Sequence, residues 1–119
     1  MKSLKPLLLV GSLLLSSAVW AEGGSDRLLK QMQKMRDNAE SKLTQIEKAP
    51  ACGRHASMTE HMGMLDKLMA ELHKAQPTPD MSTEQHLAWM QEHDKLMNDV
   101  LGQMMREHKL MMAEKQCHQ

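Results

Sequence analysis

The chain contains no Phe and no Tyr, only two Trp, and only two Cys among its 119 residues. Lys and Arg number 15 and Asp and Glu number 15, so there is no surplus of either charge. Without a basic surplus, a nucleic-acid binder that neutralises phosphates is excluded. With so few aromatics, a core built on rings is excluded as well. No stretch alternates like a strand, and no apolar run is long enough to span a bilayer. What takes the place of the missing residues is 14 Met and 7 His.

The first residues account for part of this composition. Lys2 and Lys5 precede an apolar run over 7–15 and a stretch of mostly small residues over 16–21. Val19-Trp20-Ala21 fits a cleavage site, so residues 1–21 read as a secretory signal peptide, removed on export to the periplasm. No Cys follows the cleavage site to carry a lipid, and no stable membrane anchor is expected. The remaining 22–119 form one domain with 13 basic and 15 acidic groups and Trp89 as its only Trp. A domain of this size buries roughly 60–65% of its unfolded surface, which leaves a thin stability margin.

Three segments carry helical periodicity. Leu28, Met32, Met35, Ala39, Leu43 and Ile46 recur at steps of three and four, with Ser25 or Asp26 as the cap. Pro50 and Gly53 end that helix. A second helix runs from about Ala56 to Ala75, its stripe being Met58, Met62, Leu65, Met69 and Leu72. Pro77 and Pro79 break it, and Ser82 with Gln85 makes a capping box for a third. That helix extends to about Lys115, some 34 residues, and Gly102 is expected to kink or divide it. The fold class is therefore all-α: a small antiparallel helical hairpin or a bundle of three to four amphipathic helices.

Metal-capable residues concentrate in 52–119. On the third helix His86, Met90, His93, Met97, Met104, His108 and Met111 share about 60° of arc. Thioether sulfur is a soft, neutral donor suited to Cu(I) and Ag(I), with no proton to lose. Imidazole adds affinity and also accepts Cu(II). Side chains at i and i+3 or i+4 stand about 5–6 Å apart, close enough to converge on one ion. Three candidate clusters follow: His86, Met90, His93 and Met97; Met104, His108, Met111 and Met112; and Met58, His61, Met62 and Met64. The competing reading is that Met merely replaces Leu in the core.

The Met90/His93 and His93/Met97 spacings resemble those of periplasmic Met/His-rich copper- and silver-binding resistance proteins. That resemblance covers 52–119 and implies a protein that buffers Cu(I) or Ag(I), or passes it to an efflux component or copper chaperone. The alternative is a periplasmic helical stress chaperone or sensor-adaptor with a Met-rich core and no metal role. Its Leu-Thr-x-x-Gln signature is absent, the nearest string being Leu43-Thr44-Gln45-Ile46-Glu47. No phosphate loop, hydrolase triad motif or zinc-protease motif is present, so no enzyme is expected.

Cys52 and Cys117 leave two readings open. An exported pair favours a disulfide. Cys52-x-x-His55 and Cys117-His118 also supply two sulfurs and two nitrogens for a metal. A straight third helix paired by a tight hairpin sets Cys52 level with about residue 106, roughly 16 Å short of Cys117.

Overall fold

Leu29, Met32, Ala39, Leu43 and Ile46 are all buried along one side of α1 (Ser25–Lys48), the first of three helices in a computed structural model that describes residues 25–117. The expected signal peptide and His118 lie outside the described residues. α2 spans His55–Lys74 and α3 spans Thr83–Gln116, and each helix packs against the other two. Among the described residues there is no strand.

The ends of the helices follow from local chemistry. Ser25 and Asp26 are the first two residues of α1, with the Asp26 carboxylate in its first turn. At the other end Arg54 donates from Nη2 to the Ala49 carbonyl at 2.6 Å and to the Glu47 carbonyl at 3.3 Å. These bonds satisfy carbonyls that the end of α1 leaves without partners. Gly53 turns the chain with φ +94°, a conformation an L side chain rarely adopts. The Ser82 hydroxyl accepts from Gln85 N–H, while the Gln85 side chain accepts from Ser82 N–H, forming the expected capping box. α3 then continues unbroken for 34 residues; Gly102 does not divide it. One glycine lowers helix propensity by about 1 kcal/mol, which packing along a long helix easily outweighs.

Cross-helix bonds fix the topology. His61 on α2 faces Gln103 and Glu107, and the Leu72 carbonyl faces His93, so α2 and α3 are antiparallel. Gln33 reaches Glu92, Arg36 reaches Asp99 and Glu40 reaches Arg106, so α1 and α3 are parallel. Carried along, the α2–α3 register sets Cys52 level with about residue 113, one turn from Cys117. The tight-hairpin expectation is corrected here. The 75–82 linker runs on past the end of α2, so the first two turns of α3 project beyond it. That shift lets an undivided α3 close a disulfide between Cys52 and Cys117, with Cα atoms 5.9 Å apart. Both cysteines are thereby consumed, and the alternative Cys/His metal site is overturned.

A second correction concerns rotation. The buried residues of α2 are Met58, His61, Leu65, Leu68 and Leu72, which places the core about 40° away from the expected stripe. On α3 they are Trp89, Leu96, Val100, Gln103, Glu107 and Glu114, about 70° from the Met/His arc. The Met faces of both helices thus turn out of the core, toward the same side of the α2–α3 seam.

Candidate metal-binding groove

Along that seam Met62 and Met69 from α2 and Met104, His108 and Met111 from α3 line one groove of about 410 Å³. Leu65 and Val100 belong to its lining and to the core, while Asp66 and Glu107 add two carboxyl groups. Met62, Met104 and Met111 are 45–46% exposed, too open for core packing. Four thioethers and one imidazole therefore share a single concavity. Met has three flexible torsions, which lets such sulfurs close on an ion without moving the backbone. Sulfur donors in this number suit a soft monovalent cation rather than a hard divalent one.

The structure divides the sequence-derived candidates. Met62 from the α2 cluster joins Met104, His108 and Met111 from α3, a cross-helix grouping that neither helix discloses alone. Met69, read as core, completes it; its position one turn from Leu65 and two from Met62 was the available signal. Met112 is exposed outside the groove, Met58 is buried in the core, and Met64 is half-buried against it. His86 and Met90 are exposed near the start of α3, whereas His93 and Met97 are half-buried.

His61 is held in a different way. It is fully buried, its Nδ1 lies 3.0 Å from Glu107 Oε1, and its Nε2 lies 2.9 Å from Gln103 Oε1. Gln103 in turn donates from Nε2 to the Arg36 carbonyl at 3.2 Å, which orients its oxygen toward His61. With both ring nitrogens engaged, His61 has no lone pair free for a metal in this arrangement. It ties all three helices together.

The opposite side of the bundle is charged and internally paired. Arg106 forks onto Glu40 at 2.6 and 2.7 Å and onto Glu47 at 2.5 and 3.2 Å. The hydrogen bond from Arg106 holds the Glu47 carboxyl below its ordinary range, against a smaller opposing effect of burial. Hydrogen bonds to Glu47 and Glu40 push Arg106 above its usual value. At Arg36 burial acts downward, but bonds to Asp37 and Asp99 reverse the balance and raise it. Arg36, Asp37, Glu40, Asp99 and Arg106 line a cleft of about 360 Å³ between α1 and α3, with each arginine already bound to a carboxylate.

Among the described residues no three His, Cys, Asp or Glu side chains come together as a metal site. No helix of the described residues is long and apolar enough to cross a membrane. Compared with known protein families, characterised proteins and solved structures, the chain matches none.

Proposed function

We propose that the protein is an exported, periplasmic binder of Cu(I) or Ag(I). It holds the ion on Met and His side chains and so lowers its free concentration or passes it to an efflux component or copper chaperone. The observation that carries this reading is the groove of Met62, Met69, Met104, His108 and Met111 between two helices. Soft thioethers prefer soft monovalent ions, and they survive an oxidising compartment in which thiols pair off. The Cys52–Cys117 disulfide suits such a compartment, and so does the leader-like start of the chain.

A second reading rests on a separate observation. Leu87, Leu101, Met105 and Met112 are 49–67% exposed along the outer face of α3. Such a face serves a helical chaperone or sensor-adaptor that captures apolar segments without metal.

Native mass spectrometry of the disulfide-bonded protein tests the first reading. Retention of Cu(I) or Ag(I), at one or more ions per chain and in preference to Zn(II), is the expected result. Retention of neither soft ion at micromolar concentration transfers the assignment to the apolar face of α3.

A further inference from the structure

We infer that a second metal station, based on nitrogen and suited to Cu(II), lies where the last turn of α2 meets the first half of α3. Its ligands are His73 and His93. His73 Nδ1 is 2.8 Å from the Met69 carbonyl, and His93 Nε2 is 2.9 Å from the Leu72 carbonyl. A carbonyl oxygen only accepts, so each of these nitrogens carries the hydrogen. The neutral rings are thereby set as opposite tautomers, leaving the lone pairs on His73 Nε2 and His93 Nδ1. Imidazoles that bind metals characteristically donate their other N–H to a carbonyl or carboxylate, which fixes ring orientation and raises basicity. Here both rings are anchored that way, on carbonyls one turn apart on the same helix.

Placement brings the two rings to the same side. On the α2 wheel His73 falls beside Met62 and Met69, and on the α3 wheel His93 falls beside Met104 and Met111. The Leu72–His93 bond sets the register, so His73 lies across from the same turn of α3. Met97, one turn from His93, is half-buried against the core. The negative end of the α2 dipole favours a cation at this turn. Lys74, the neighbouring cation, lies 4.0 Å from Glu71. Two imidazoles with thioethers at hand favour Cu(II), the strongest-binding divalent ion of its series, with water completing the coordination. This station does not depend on the thioether groove, so the two readings fail separately.

The test adds Cu(II) alone to the full disulfide-bonded chain carrying Trp20→Phe, and reads electron paramagnetic resonance together with Trp89 emission. The Trp89 ring stacks on His93 with centroids 5.0 Å apart, so an ion on His93 lies within quenching range. One tight Cu(II) with two imidazole nitrogens and a quenched Trp89 is expected. His73→Gln, at an exposed position, should weaken Cu(II) binding at least about tenfold and remove one nitrogen from the spectrum. His93→Gln, which keeps an N–H for the Leu72 carbonyl, should do the same with helicity intact. Met62→Leu with Met104→Leu should leave Cu(II) binding unchanged. An unaltered Cu(II) spectrum in His73→Gln, or saturation by Cu(II) without loss of Trp89 emission, overturns the proposal.

Discussion

His61 Nδ1 and Glu107 Oε1 face each other at 3.0 Å across the α2–α3 interface, both side chains withdrawn from water. A proton must lie between them, since two bare lone pairs at that distance repel. Glu107→Ala leaves a buried imidazole nitrogen without its partner and should cost about 1–3 kcal/mol in chemical denaturation. In His61→Gln, soft-ion stoichiometry should be unchanged, because His61 is a fastener between helices rather than a ligand. A fall in both stability and stoichiometry would return His61 to the metal site.

Glu47 predicts the acid side of the stability profile. Its carboxyl is held below its ordinary range by Arg106, so its contribution is present above that range and is lost as pH falls through the lowered value. Partial exposure and solvent screening limit the effect to about 1 kcal/mol or less. Thermal melts between pH 6 and 3 should therefore fall less steeply in Glu47→Gln than in the parent protein. Identical slopes would show that the fork adds nothing in solution.

The disulfide joins positions 65 residues apart. Reduction should lower unfolding free energy by about 4 kcal/mol in the chain-entropy picture. That is a large share of the margin of a small domain, so the melting temperature should drop sharply under reducing conditions.

Gly102 makes a prediction of opposite sign. A Cβ added there meets nothing within 4 Å, and the residue sits in mid-helix. Gly102→Ala should stabilise the protein by about 0.5–1 kcal/mol, read from the same denaturation curves.

Much of the fold was legible in the sequence. The three periodic segments and the Ser82–Gln85 cap each rest on chemistry within a few residues, and the Cys52–Cys117 pairing on the chain having two cysteines. What stayed hidden was rotation and register. The core side of α3 carries Gln103, Glu107 and Glu114 beside Trp89, Leu96 and Val100. Apolarity alone therefore pointed to the neighbouring Met/His arc. Those buried polar groups make sense only beside their partners, as Gln103 and Glu107 do beside His61 on another helix. The same rotation explains why Met62 and Met69 from α2 join three ladder residues of α3. The register depended on how far the 75–82 linker runs, which proline content does not specify.

The account rests on the thioethers of the groove, and replacing them with Leu separates ligand from packing. Met62→Leu, Met69→Leu, Met104→Leu and Met111→Leu together roughly conserve volume, at less than about 1.5 kcal/mol per site. Met90→Leu with Met105→Leu removes sulfur from exposed positions that do not line the groove. The decisive measurement is a Cu(I) competition titration of both variants against a chromogenic Cu(I) chelator. The groove variant should keep its helicity but lose Cu(I), while the exposed-site variant should bind as the parent does. Equal Cu(I) binding by parent and groove variant would contradict it.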